Sequence, residues 1–291
     1  MDPVAVVGGG PAGISCAIWL KRLGLDPVIF DRGRLGGQLH DITLPLQDVP
    51  GLGTIAAGAL AARLEEQLRS LHIPVKEGKE AVSFDSGSRT VGCKDGTSYP
   101  VSAVAYAPGL RTRQLAVPGR EEITRLSTSD LIRERMDGLI VVVGGGDRAF
   151  EAAIRLTDAG QSVILVHRRA HFRARPDFQT QAERRRIPIY VNATVRSVSA
   201  GAHGIEMTLE RGGRTQRLAA RCVLARIGME PDIEPGLCPG ALSDVVPLWT
   251  PVGIRVLGDA VSPVPFRSIA TAFGSGMVAA KELVMTLSRK S

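Results

Sequence analysis

At 291 residues the chain has room for two domains of ordinary size. Hydrophobic residues make up 44% and charged residues 22%, which argues against wholesale disorder, and no apolar run approaches the ~18 residues that cross a bilayer. The formal charge of +7 is concentrated, with seven arginines against two acids in residues 165–190. Such a cluster points to one bound anion rather than a nucleic-acid surface, and with 2 Trp, 3 Tyr and 7 Phe the chain lacks a base-stacking platform.

The N-terminus, MDPVAVVGGG, has no basic region before its apolar residues, so no secretory signal and a cytoplasmic protein are expected. Val4-Ala5-Val6-Val7 reads as a short, fully apolar strand. Gly8-Gly9-Gly10-Pro11-Ala12-Gly13 follows as a glycine turn, then an alanine- and leucine-rich helix, then a second apolar strand ending Val28-Ile29-Phe30-Asp31-Arg32. The same order returns at Ile140-Val141-Val142-Val143, Gly144-Gly145-Gly146-Asp147-Arg148-Ala149 and Val163-Ile164-Leu165-Val166-His167-Arg168-Arg169. Gly8 maps to Gly144 and Asp31 to His167, 136 residues on in both cases. Each copy is the opening of a βαβ unit.

The spacing has a physical logic. The first glycine permits the tight turn, the second lets a pyrophosphate approach the backbone, and the third position must be small for helix–strand packing. Gly8, Gly10 and Gly13 meet these needs in one copy; Gly144, Gly146 and Ala149 meet them in the other. The copies differ at the tip of the second strand. Asp31 can accept hydrogen bonds from both hydroxyls of a plain ribose, whereas His167-Arg168-Arg169, with Arg173 one helical turn on, would pair with a 2′-phosphate. The first site is therefore expected to hold FAD or NAD and the second NADPH. Arg184-Arg185-Arg186 reads instead as a solvated helix face.

The four cysteines, Cys16, Cys93, Cys222 and Cys238, contain no C-x-x-C, and no Cys/His spacing suits a metal. Cys16 in the first helix and Cys222 in an apolar strand over 222–225 read as buried packing residues.

With these motifs in place the chain resembles the thioredoxin reductase-like flavoproteins over nearly its whole length. Gly36-Gly37-Gln38-Leu39 resembles the family's flavin-contacting segment, and Asp48-Val49-Pro50-Gly51 the turn that follows it. Ala107-Pro108-Gly109, ahead of Leu115-Ala116-Val117-Pro118-Gly119, is similar to the stretch that closes the first half of the FAD domain. His167-Arg168-Arg169 with Phe172-Arg173 resembles the NADPH-specific basic segment. Gly258-Asp259-Ala260 resembles the second FAD signature, and Arg267-Ser268-Ile269 opens a last helix ending near Leu287.

The resemblance implies an α/β fold of two Rossmann-like, three-layer (ββα) dinucleotide-binding domains. FAD is then held by residues 1–112 and 236–291, with the NADPH domain, 113–235, inserted between. Residues 80–107 would form a small antiparallel excursion, and Gly228-Met229-Glu230-Pro231 the turn of the return hinge. Spacing and resemblance together assign FAD to Gly8, Gly10, Pro11, Ala12, Gly13, Asp31, Arg32, Gly37, Gln38, Leu39, Asp48, Val82, Ala107, Gly109, Gly258, Asp259, Arg267, Ser268 and Ile269. NADPH is assigned to Gly144, Gly146, Asp147, Arg148, Ala149, His167, Arg168, Arg169, Arg173 and Gly228. The last helix would point its N-terminus near Ser268 at the flavin, where its dipole favours negative charge. Gln38 and Asp259 are expected to tune the flavin, while His40 reads as a structural surface residue. No side chain is assigned as a catalytic acid or base.

One departure shapes the functional reading. Thioredoxin reductases carry a redox C-x-x-C just before the second glycine motif, and the corresponding residues 119–138, GREEITRLSTSDLIRERMDG, contain no cysteine. A hydride–flavin–disulfide relay then has no last step. Among family members, ferredoxin/flavodoxin–NADP⁺ reductases lack that pair, although they tend to end in an aromatic residue over the flavin and none follows Phe273 here. Bacillithiol-disulfide reductase-like members place a cysteine where Ala12 stands. The expectation is hydride transfer from NADPH to FAD and onward to an external acceptor, ferredoxin or flavodoxin first. The alternatives are a disulfide or quinone reductase without its own C-x-x-C, and a flavin redox sensor that does not turn over. The resemblance implies a homodimer; from composition and charge, no nucleic-acid or membrane partner is expected.

Overall fold

The computed structural model describes residues 2–42, 44–124, 126–202, 204–239 and 246–288. The chain divides into two compact units, Met1–Arg111 with Pro231–Ser291, and Thr112–Glu230. The first unit begins β1 (Val4–Val7), α1 (Pro11–Arg22), β2 (Pro27–Asp31), α2 (Ala57–Ser70) and β3 (Val75–Glu77). It continues β4 (Ala81–Asp85), β5 (Thr90–Cys93), β6 (Ser98–Pro100), β7 (Ala103–Tyr106) and β8 (Leu110–Thr112). The second contains α3 (Thr128–Glu134), β9 (Leu139–Gly144), α4 (Asp147–Asp158), β10 (Ser162–Val166) and α5 (Pro176–Arg184). Then come β11 (Ile189–Tyr190), β12 (Ala193–Gly201), β13 (Gly204–Arg211), β14 (Arg214–Ala220), β15 (Cys222–Arg226) and β16 (Met229–Pro231). β17 (Arg255–Val256) and α6 (Ile269–Ser288) complete the first unit.

Both units have the expected three-layer, Rossmann-like architecture. In the first, the parallel strands run in the order β17-β7-β1-β2-β3. One face packs on α1, α2 and α6 through Ile14, Leu20, Leu64 and Leu283; the other packs through Val7, Phe30 and Val104 on the antiparallel β4-β5-β6 sheet. A strand buried on both faces needs the unbroken apolar run seen in Val4–Val7, which is why that run carries no alternation. In the second unit the order is β11-β10-β9-β15, with α3, α4 and α5 on one face and β12-β13-β14 on the other. α3 starts in a reciprocal cap, Ser127 and Asp130 each accepting from the other's backbone N–H.

Three local expectations are adjusted. The antiparallel excursion closes at Pro100, and Ala103–Tyr106 returns to the parallel sheet beside β1. Residues 229–231 are extended, not a turn, because the chain bends just before them, at Ile227 and Gly228 (φ +116°). Arg173 lies in a loop ahead of α5, held there by hydrogen bonds to the glycine turn.

Candidate functional site: two glycine cradles

In the first unit, Gly8 leaves β1 at φ +102°, and a Cβ there would stand 2.1 Å from the Ala107 carbonyl oxygen. Only glycine fits, so the turn folds tightly onto the end of β7. Gly13 packs as closely, a Cβ there meeting Gly8 O at 1.9 Å. α1 begins at Pro11 with Gly10 as N-cap and no side chain capping it, leaving its first N–H groups for an outside acceptor. A cleft of about 630 Å³ opens over this turn, a size suited to a bound cofactor.

Seventeen of the nineteen residues assigned to FAD line that cleft, from Gly8 to Ile269. Asp48 and Val82 do not. Asp48 is exposed just ahead of the turn that begins at Val49, and the Val82 carbonyl is covered by Gly236, whose Cβ would lie 2.1 Å away. Asp31 organises the tip: its Oδ2 accepts from Gly9 N–H at 2.6 Å and its Oδ1 from Gly33 N–H at 2.7 Å. Each oxygen keeps a lone pair for a sugar hydroxyl. The Gln38 amide donates to Leu110 O at 2.8 Å, which fixes its side chain at the cleft wall. His40 also lines the cleft, its Nε2 bonded to Leu35 O at 2.7 Å. Ser268 caps α6 by exchanging hydrogen bonds with Thr271, and this end of α6 faces the cleft.

Asp259 is the polar group the fold leaves waiting. Its Oδ1 is buried without a hydrogen-bond partner among the described residues. Burial pushes the carboxyl above the usual range, with Arg267 opposing the shift. A buried acceptor without a donor costs stability, so its retention fits a ligand hydroxyl at that point. The sequence left unmarked Lys79, Glu80, Tyr106, Asp232, Ile233 and Glu234, which also line the cleft. Tyr106, a polar side chain closing an apolar strand, was the one available signal.

The second cradle is built alike and charged oppositely. α4 begins at Asp147 after Gly146, again without a side-chain cap. Gly145 lies under the His167 ring so closely that a Cβ would be 2.3 Å from it. Gly145 O accepts from the N–H groups of Arg173 (2.8 Å) and Ala174 (3.1 Å), and Asp147 accepts from Arg175 N–H (2.8 Å) and pairs with its guanidinium (3.0 Å). The loop is thus tied down at both ends of the turn. Arg168, Arg169 and Arg173 stay exposed and form no ion pair with any described residue. Burial, with the three arginines adding to it, lowers the pKa of His167, which favours its neutral form. Arg148 reaches the Met229 sulfur at 2.9 Å, and Gly228 lies just beyond β15, whose last residue pairs with Gly144. Arg185 binds Asp158 through two nitrogens (2.6 and 2.9 Å) and belongs to helix packing.

All four cysteines are buried and free of disulfides. Burial pushes the Cys16 thiol up to about 12 and the Cys222 thiol to about 11, so neither forms a thiolate near neutrality. Iodoacetamide treatment of the native protein is therefore expected to leave turnover unchanged; loss of activity in step with labelling of one cysteine would contradict this.

Two open parallel sheets, each with a glycine turn and an uncapped helix at the C-terminal edge, define a protein of the two-dinucleotide class. Residues 2–238 match the pyridine nucleotide-disulphide oxidoreductase family, and the chain belongs to it. A bifunctional thioredoxin reductase/thioredoxin of Mycobacterium leprae is 31% identical over 95% of this chain, which spans 64% of that relative's length. A ferredoxin–NADP reductase of Gluconacetobacter diazotrophicus is 30% identical over 95% of this chain and 89% of its own. The thioredoxin reductase of Lactococcus lactis superposes with a TM-score of 0.86 at 25% identity, covering 99% of this chain and 100% of that structure.

Proposed function

We propose that the protein is an NADPH-dependent FAD oxidoreductase that delivers electrons to an external carrier, a ferredoxin or flavodoxin. The observation that carries this reading is the charge asymmetry of the cradles: Asp31 at one tip, and at the other three exposed guanidiniums that form no ion pair among the described residues. A carboxylate suits a plain ribose and repels a 2′-phosphate; the arginines do the reverse. FAD and NADPH, the cofactors of this family, satisfy both. Once bound, FAD supplies the chemistry, accepting a hydride and releasing electrons one or two at a time.

The chain's own residues bind, orient and set charge. The N–H groups at the starts of α1 and α4 receive phosphate oxygens, Asp31 and Asp259 receive hydroxyls, and Arg168, Arg169 and Arg173 receive the 2′-phosphate. The start of α6 brings a positive helix end to the cleft, which would favour negative charge on a flavin held there. With every cysteine buried and no C-x-x-C in the sequence, the dithiol relay of a thioredoxin reductase has no counterpart at the usual place.

The test is to reduce the protein anaerobically with NADPH and follow reoxidation by ferredoxin, flavodoxin, a protein disulfide and a quinone. Fastest reoxidation by ferredoxin or flavodoxin is expected. Rapid turnover with the disulfide alone would overturn the assignment of the acceptor.

A further inference from the structure

Arg32 directly follows β2 and Asp232 directly follows β16, yet their side chains form an ion pair in which Arg32 Nη2 donates to Asp232 Oδ2. β1 lies between β2 and β7 in the sheet, so these flanking strands stand ~10 Å apart. Asp232 belongs to the β7 side. Its N–H donates to Gly109 O at 3.2 Å, and its carbonyl accepts from Tyr106 OH at 3.4 Å. Tyr106, the last residue of β7, accepts in turn from Glu234 N–H at 2.8 Å. The pair therefore joins the two strands that flank β1, and both its residues line the cleft that also takes in the Gly8–Gly10 turn.

Neither end needs this bridge to hold its backbone. The Asp31 carboxylate fixes the turn beyond β2, and Tyr106 with Gly109 fixes residues 232–234. The Asp232 side chain is only 14% exposed and has a second cation, Arg111, at 3.8 Å, while the Arg32 side chain is 62% exposed. One end is buried and the other is largely open to solvent. Both residues line the cleft. A guanidinium carries five N–H donors, so Arg32 keeps donors beyond the one Asp232 takes.

We propose that the Arg32–Asp232 pair is a strap across the first cradle: Asp232 positions Arg32 over the nucleotide half of bound FAD, and opening of the pair governs FAD release. This rests on the reading of that cradle as the FAD site. Arg32 and Asp232 are positioning residues, acting on retention and not on electron transfer. Because the Arg32 end is solvated, salt weakens the strap.

The experiment follows FAD release from the holoprotein by the rise in free-flavin fluorescence on dilution, with wild type, Asp232→Asn, Arg32→Gln and Arg32→Lys. Asp232→Asn and Arg32→Gln are expected to release FAD roughly fivefold faster or more, with Arg32→Lys close to wild type. The wild-type rate is expected to rise with salt, and that of Asp232→Asn to stay flat. Equal rates in all four proteins, or slower release from Asp232→Asn, would overturn the strap. If Asp232→Asn does not fold, wild-type salt dependence decides, and a flat rate overturns the proposal. A wild-type protein that cannot be loaded with FAD at all would overturn the reading of the cradle as well, a result distinct from FAD that binds and leaves at one common rate.

Discussion

Replacing Arg168 and Arg173 together by alanine is expected to raise the KM for NADPH by ~100-fold or more while leaving NADH little changed. A charged hydrogen bond is worth roughly 1.5–3 kcal/mol, and about 1.4 kcal/mol is tenfold in affinity, so two such losses reach this range even when they overlap. The structure makes the effect selective. Arg168 and Arg173 are exposed and pair with no described residue, so their removal breaks no internal contact of the loop, which hangs on backbone bonds to Gly145 and on Asp147–Arg175. Steady-state kinetics with both cofactors is the check. Equal losses for NADPH and NADH would remove the 2′-phosphate role from this cluster.

Substituting Asp259 has two consequences of opposite sign. Asp259→Ala removes the buried carboxylate that we propose meets a ligand hydroxyl, and FAD affinity is expected to fall by roughly 10- to 100-fold. Asp259→Asn relieves a buried charge in the flavin-free protein, so its melting temperature is expected to rise by about 2–4 °C at neutral pH. The pH dependence follows from the direction of the shift. Burial raises the carboxyl's pKa above its unfolded value, so its contribution to stability is full below the ordinary aspartate range and is lost as pH rises through the raised value. The gap between Asp259→Asn and wild type should therefore open as pH increases from acid to neutral. A gap that widened toward acid would show that Asp259 is stabilised as a carboxylate by groups of the chain itself, and that it does not wait for a ligand.

The two βαβ openings were legible because local signals agreed there: an apolar strand, a glycine turn and a helix in each copy, confirmed as β1–α1–β2 and β9–α4–β10. Charge at the second strand's tip was equally plain, since Asp31 and His167 each follow directly from their strand's register. Features made by distant segments were not. Asp232 and Glu234 reach the cleft because the chain returns beside β7 after a long excursion, and nothing in their neighbours announces it. Val82 does not line the cleft although its neighbour Ala81 does, since a strand alternates its faces and resemblance alone does not fix the face. Arg173 looked helical from its spacing to Arg169, but Gly145 O captures its N–H and holds the segment as a loop. Sequence spacing could not reveal that bond, which depends on the glycine turn being folded.

The most direct measurement is an anaerobic titration of the purified flavin-loaded protein with NADPH and, separately, NADH, read at the flavin's visible absorption band. One equivalent of NADPH should bleach the band, with NADH requiring far higher concentrations. A band that persists under NADPH, or bleaching by the two nucleotides at equal concentrations, would contradict the assignment of opposite charges to two different nucleotides.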